Sequence, residues 1–340
     1  MRPHRAALTL FRTAFAAGLL AGGTGCRTGG GCGCTTPDFP TIAATQLAFD
    51  SDRTGNYELY VMNADGSGAH PLTSDPRFDS WWPRISPDRT RILFYRTPKG
   101  VHDTDYTKTS LWIVNADGSL PREAIANGAN GWQFQGHAEW SPDGARMVMF
   151  GGTAPNLNIY VTNAAGQSPV AITSRQGLNI DPSWSPDGAT VAFISTPSGS
   201  LDQVDQEVYL VPAKGGIATR LTHDRLVDND PYFSPDGQTI AFLTQTLPPG
   251  SPGKPLGTWG LRKVGPAGSG LGTILDDGQI NSKPDWSTDG SLIRFHRTLY
   301  FGGGKFSLFQ IKPDGTGLLE LTPGQGSWNS EFPCAGGAKR

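Results

Sequence analysis

Pro182-Ser183-Trp184-Ser185-Pro186-Asp187-Gly188 returns along the chain, lightly edited, and divides it into near-equal parts. Further copies read Arg84-Ile85-Ser86-Pro87-Asp88-Arg89, Glu139-Trp140-Ser141-Pro142-Asp143-Gly144, Tyr232-Phe233-Ser234-Pro235-Asp236-Gly237 and Asp285-Trp286-Ser287-Thr288-Asp289-Gly290. A degraded sixth copy stands at Glu331-Phe332-Pro333-Cys334-Ala335-Gly336. The serines of the five clear copies lie 55, 44, 49 and 53 residues apart, a period that marks a repeat architecture. Proline presets φ near about −65°, and Asp and Gly suit the turn positions that follow. Each copy is therefore expected to be a tight bend leaving a strand that carries one large apolar residue.

Between markers, four short apolar pieces recur, separated by turn signals. The marker strand comes first; the second piece follows the bend, as in Val191-Ala192-Phe193-Ile194 and Ile240-Ala241-Phe242-Leu243. The third is typified by Leu59-Tyr60-Val61-Met62 and Leu111-Trp112-Ile113-Val114, running into turns such as Asn63-Ala64-Asp65-Gly66 and Asn115-Ala116-Asp117-Gly118. The fourth is a pair such as Leu72-Thr73 or Leu221-Thr222. Four such strands make an antiparallel meander, which cannot bury both faces alone and must stack on its neighbours. Gly 45 and Pro 27 make about a fifth of the 340 residues and runs of helical period are missing, so an all-β chain with frequent turns is expected. Charged residues are only 17% with a formal net charge of −2, which gives no electrostatic case for nucleic acid.

The two ends of the array complement each other. Gln46-Leu47-Ala48-Phe49-Asp50 matches a second piece with no marker before it, and Glu331-Phe332 is a marker strand with no second piece after it. Joining them in one sheet closes the count at six and leaves no exposed edge at the seam. The expected fold is a six-bladed β-propeller whose N-terminal and C-terminal strands share one blade, spanning residues 42–336 with a short tail at 337–340. Trp140, Trp184, Phe233 and Trp286 should then pack between blades, worth about 1.5–3 kcal/mol each.

The N-terminus differs in kind. Arg2, His4, Arg5 and Arg12 precede the small apolar run Ala14–Ala21, too short to span a bilayer but suited to a signal peptide over residues 1–25. Residues 26–41, rich in glycine, read as a flexible tether. Cys32, Cys34 and the distant Cys334 are disulfide candidates in an exported chain, and a pairing of Cys34 or Cys32 with Cys334 would tie the chain ends together.

Ser-Pro-Asp-Gly, Ile-Ala-Phe and Leu-Tyr-x-x-Asn-Ala-Asp-Gly together resemble the propeller repeats of the TolB family and the related propellers of prolyl oligopeptidases, over about residues 46–336. TolB carries a separate domain ahead of its propeller; the tether stands there in this chain, so that domain's contribution to the Tol-Pal envelope complex is not carried over. Gly23-Thr24-Gly25-Cys26 resembles a bacterial lipobox, with Gly23 where that pattern prefers Leu, and implies lipidation of Cys26. One such anchor holds a soluble domain on a membrane without spanning it.

Successive turns of a meander alternate between its ends. The Ser-Pro-Asp-Gly bends and the Asn-Ala-Asp-Gly turns therefore share one short, uniform rim. The loops between second and third strands share the other rim with the blade-to-blade connections, and function tends to sit on such variable loops. The channel mouth on that rim is expected to be lined by Asp79, Trp81, Trp132, Gln135, His137, Asn179, Asp181, Asp228, Asp230, Lys283, Trp328 and Glu331. This set could hold a peptide, a sugar or a cation. Asp or Asn before Pro, as in Asp181-Pro182 and Asp230-Pro231, equally well serves a turn.

No Gly-x-Ser-x-Gly occurs, so oligopeptidase chemistry is not expected. His137 is the one histidine beside a marker strand, and the repeat offers no geometry for a three-histidine metal site. Asp228-Asn229-Asp230 could help bind calcium but lacks the spacing of a loop site; no other cofactor is expected. The reading is an exported, lipid-anchored, periplasmic and non-catalytic monomer that binds an envelope protein or peptide. The alternative is a carbohydrate-active or carbohydrate-binding propeller, polysaccharide lyase-like, using the mouth tryptophans with His137.

Overall fold

The structure, a computed structural model, describes residues 40–102, 105–174, 177–196, 205–224, 226–253, 257–298, 307–322 and 328–331. The expected signal peptide, most of the tether, Cys26, Cys34, Cys334 and the C-terminal tail lie outside the described residues, as do the side chains of Trp328 and Glu331. No helix among the described residues is long and apolar enough to cross a membrane.

The fold is all-β. Among the described residues the strands form six four-stranded antiparallel meanders, each one blade. The second blade shows the plan: Phe78–Ile85, Arg91–Pro98, Ser110–Asn115 and Arg122–Ile125 lie side by side in chain order. The inner strands of the third to sixth blades are Phe134–Trp140, Asn179–Trp184, Asp228–Phe233 and Ile280–Trp286; the last two blades are linked by one parallel bridge, Trp259 to Ile280. The first blade is closed by both chain ends: Trp328–Glu331 pairs antiparallel with Gln46–Ser51, placing Ala48 opposite Glu331 and Phe49 opposite Ser330. Inner strands touch their neighbours in order around the ring, and the C-terminal strand touches both the second and the sixth. This is the closed β-propeller that the repeat implied.

The marker decides both the bend and the seam between blades. In all five copies the serine hydroxyl donates to the Asp carboxylate two residues on, at 2.5–2.7 Å. The same hydroxyl accepts the backbone N–H five residues on, at 2.8–3.0 Å, so one side chain staples the hairpin. The residue three after the serine adopts left-handed φ: Gly144, Gly188, Gly237 and Gly290 at 67–71°, and Arg89 at 59° in the copy that lacks glycine. Each marker tryptophan packs in a core cluster and donates its indole N–H to an inner-strand carbonyl of the preceding blade: Trp140 to Arg84, Trp184 to Glu139, Trp286 to Tyr232, at 3.1–3.3 Å. Burial of the ring and satisfaction of its one polar atom thus hold adjacent blades together.

Candidate functional site

Each of five inner strands breaks register at one place, just before the marker, between Trp81 and Arg84, Gly136 and Glu139, Ile180 and Ser183, Asn229 and Tyr232, and Ser282 and Asp285. The residue four positions before the marker serine occupies this bulge in left-handed backbone: Trp82 (φ 57°), His137 (49°), Asp181 (51°), Asp230 (47°) and Lys283 (54°). That conformation costs energy for any residue with a Cβ, and here it recurs five times at the mouth of the channel.

Backbone uniformity brings unlike side chains together. The His137 imidazole stacks on Trp82 with centroids 4.3 Å apart, pairs through Nδ1 with Asp181, and hydrogen-bonds through Nε2 with the Tyr106 hydroxyl at 3.0 Å. Lys283 Nζ lies 3.6 Å from Asp230 and 3.8 Å from the Trp82 ring centre. Burial alone would raise the Asp181 carboxyl, but His137, Lys283 and the Asp230 N–H outweigh it and hold it below the usual carboxylate range. Deeper in the channel the Arg84 guanidinium hydrogen-bonds the Tyr232 hydroxyl, and Glu139 accepts the Trp184 N–H at 3.1 Å. Glu139 is half-buried, and desolvation pushes its carboxyl up to about 8, Arg84 opposing and Asp285 reinforcing.

Beside this cluster opens a cavity of about 470 Å³. Phe134, Phe150, Leu157, Leu178 and Ile180 form its apolar wall, and Tyr106, His137, Asp181, Asn229 and Lys283 supply polar groups. It lies on the variable rim, reached from the loop that carries Asp105 and Tyr106. Apolar lining with a few convergent polar groups is the make-up of a ligand site.

Of the twelve mouth residues expected from sequence, the structure gathers His137, Asp181, Asp230 and Lys283 around the channel. Others serve the frame, and this corrects the expectation. Gln135, Asn179 and Asp228 stand six before the serine, where Asn281 also stands, and are buried. Gln135, Asn179 and Asn281 donate to backbone carbonyls of the preceding blade, at Thr109, Leu157 and Trp259, each at 2.7 Å. Asp228 accepts the Thr244 hydroxyl at 2.7 Å, and its carboxylate lies with those of Glu207 and Asp224, while Asp230 lies with His137 and Asp181. Burial pushes the Asp228 carboxyl up to about 7, against hydrogen bonds from Thr222 and Thr244. Asp79 accepts the N–H groups of Tyr57, Gly100 and Val101 and pins a loop. Trp81 packs in the core among Tyr95, Tyr106 and His102; the channel tryptophan is its neighbour, Trp82. Trp132 lies between blades against Tyr160, over Gly151 where a Cβ would come within 2.6 Å of the ring.

Among the described residues, two groups of side chains could hold a cation. His137, Asp181 and Asp230 bring one ligand atom each within 4.8 Å, and so do Glu207, Asp224 and Asp228. In each the charge is already met by side chains of the fold: Lys283 beside Asp230, Arg220 at 2.5 Å from Glu207 and Arg262 at 2.5 Å from Asp224.

A closed antiparallel propeller with a polar, partly apolar mouth defines a class of binding scaffolds. Within it, residues 104–330 match the TolB beta propeller domain, and the chain belongs to that family. A TolB homolog of Chlorobium luteolum is 32% identical over 165 residues, 47% of this chain and 34% of the relative. One of Chlorobium chlorochromatii is 28% identical over 158 residues, 46% of this chain and 32% of the relative. The chain thus matches about a third of the length of these curated relatives. The crystal structure of TolB from Acinetobacter baumannii superposes with a TM-score of 0.65 at 18% identity, covering 86% of this chain and 68% of that one, a likeness of fold.

Proposed function

We propose that the chain is an exported, lipid-anchored, non-catalytic propeller that binds an extended segment of a cell-envelope protein at its channel mouth. The observation that carries this is the cavity of about 470 Å³, with an apolar wall on one side and the His137, Asp181 and Lys283 cluster on the other. An extended peptide offers that combination: an apolar side chain for the wall and backbone amides for the charged groups. Membership of the TolB propeller family supports an extracytoplasmic setting, and the lipobox-like Cys26 supports an anchor. The carbohydrate reading loses support, because Trp81 and Trp132, which would have stacked on sugar rings, are buried in the core.

A photo-crosslinking residue at Ala154, on the cavity wall, should capture an envelope protein in stoichiometric yield, and Leu178→Glu should abolish the capture. Capture unaffected by Leu178→Glu, or turnover of an oligosaccharide without protein capture, overturns the reading. Mass spectrometry of the mature N-terminus checks lipidation of Cys26.

A further inference from the structure

The rim of the Ser-Pro-Asp-Gly bends, opposite the mouth, holds a second cavity. It measures about 250 Å³ and lies between the bends of the fifth and sixth blades, with Asp236, Thr239, Trp286, Asp289, Gly290 and Pro313 in its lining. One change in the repeat accounts for it. The residue five after each marker serine gives its backbone N–H to that serine, so Arg91, Arg146 and Thr239 occupy one place in three blades, at 2.9–3.0 Å. From that place the Arg91 guanidinium lies over the Trp140 ring of the next blade, 4.9 Å from its centre, and that of Arg146 lies over Trp184, at 4.8 Å. Arg91 also stands 3.8 Å from Asp88 in its own bend, and Arg146 donates to the Gly188 carbonyl in the next bend at 3.4 Å.

The threonine at position 239 lacks the stem to cover the indole beyond it, and the cavity stands where the arginine would be. Each group that the two arginines meet has its counterpart in the lining: Trp286 for the indole, Asp236 for Asp88 and Gly290 for Gly188. Thr190 stands at the same place in the fourth blade, but the marker ring beyond it is Phe233. Trp286 is therefore the marker tryptophan, among the described residues, that has no arginine of the preceding blade at this place.

Electrostatics name the missing group. Hydrogen bonds from Ser234 and Ser287 hold the Asp236 and Asp289 carboxyls below the usual carboxylate range, so both are ionised at neutral pH. Lys263 donates to the Pro313 carbonyl at 2.9 Å and Lys312 lays its stem against Gly317, and no cationic side chain is among the described residues that line the cavity. Two carboxylates beside an indole attract a planar cation, for which arginine is better shaped than lysine. At about 250 Å³ the space is smaller than the roughly 300–1,000 Å³ of sites that enclose a whole ligand, and it suits one long side chain carried by something larger.

We propose that this cavity receives an arginine side chain of a partner protein, its guanidinium stacked on Trp286 beside Asp236 and Asp289 as Arg91 and Arg146 stack within the chain. Paired tryptophan and arginine are the side chains that most often anchor protein interfaces. The site is on the rim opposite the mouth and does not depend on what the mouth binds.

The test follows the indole N–H signals of the full chain, labelled with 15N at tryptophan, with the Trp286 signal assigned by Trp286→Phe, which keeps a ring at the seam as Phe233 does. The probe is arginine capped at both ends, Nα-acetyl-arginine methylamide. It should shift the Trp286 signal and saturate at about 1–10 mM, with capped norleucine at least about fivefold weaker and the response reduced by high salt. Thr239→Arg fills the place from within and should abolish the shift. Arg146→Thr should open the same place on Trp184 and add a second responding indole, and melting curves show whether each variant is folded. No shift at Trp286, an equal shift with norleucine, or a shift that survives in folded Thr239→Arg overturns the proposal. If Thr239→Arg does not fold, a silent Trp184 in Arg146→Thr overturns it instead. Saturation by spermidine at a lower concentration than by capped arginine gives the cavity to a free amine and overturns the assignment to a protein.

Discussion

The two ends of the inner strands are made from one repeat yet are built on opposite principles. At the bend end the side chains repeat: Ser to Asp within each turn, and indole to the preceding blade's carbonyl in three copies. At the mouth end the backbone repeats, five left-handed bulges, while the side chains there are Trp, His, Asp, Asp and Lys. A ring needs identical seams to close, so the bend end has little freedom. The mouth end keeps a shared geometry and varies what it presents, which is how a repeat scaffold acquires a site.

That contrast can be broken by measurement. Trp184→Ala removes a buried indole and its bond to Glu139, and should cost about 3–5 kcal/mol in urea unfolding; a loss below about 1 kcal/mol would mean that the seams are not what holds the blades. Asp228→Asn probes the mouth end through pH. With its folded-state pKa near 7, above the ordinary value, the folded chain takes up a proton at Asp228 before the unfolded chain does as pH falls. The group therefore weakens the fold in full above pH 7, and the penalty fades as pH falls towards 4. The variant should be more stable than the parent by about 1–3 kcal/mol at pH 8 and equal to it near pH 4. Equal stability at both would sink this assignment.

Smaller effects sharpen the same comparison. Gly237→Ala places a Cβ on left-handed backbone 3.2 Å from Pro186 Cγ and should cost about 1–2 kcal/mol. Arg89→Gly relieves the one non-glycine copy and should gain about 0.5–1 kcal/mol in melting experiments. If the two substitutions moved stability in the same direction, the five bends would not be equivalent.

Much of the frame was legible because it follows from local chemistry. The bend, the packing role of Trp140, Trp184 and Trp286, and the pairing near Phe49 all rest on residues that state their preference in sequence. The site was legible only in part. His137, Asp181, Asp230 and Lys283 were within reach, but Gln135, Asn179 and Asp228, two positions earlier, were polar too and looked equivalent. A regular strand would put both positions on one face; the bulge breaks that parity. Its signal was present in Trp82-Pro83, Asp181-Pro182, Asp230-Pro231 and Lys283-Pro284, since proline inside a strand cannot donate to the ladder and marks a bulge. Counting from the serine would have selected Trp82 over Trp81. Tyr106, which orients His137 from a loop, carries no repeat position and could not be placed without coordinates.

Closure of the first blade by both termini has a consequence for biogenesis. Ala48 and Glu331 meet across 283 residues of chain, so the strand that locks the ring is synthesised long after the strand it pairs with. Until it arrives the sheet beginning at Gln46 presents an unpaired edge, the form of nascent protein most exposed to aggregation. A ring that locks only when two strands so distant in sequence have met stays open until the later of them is in place.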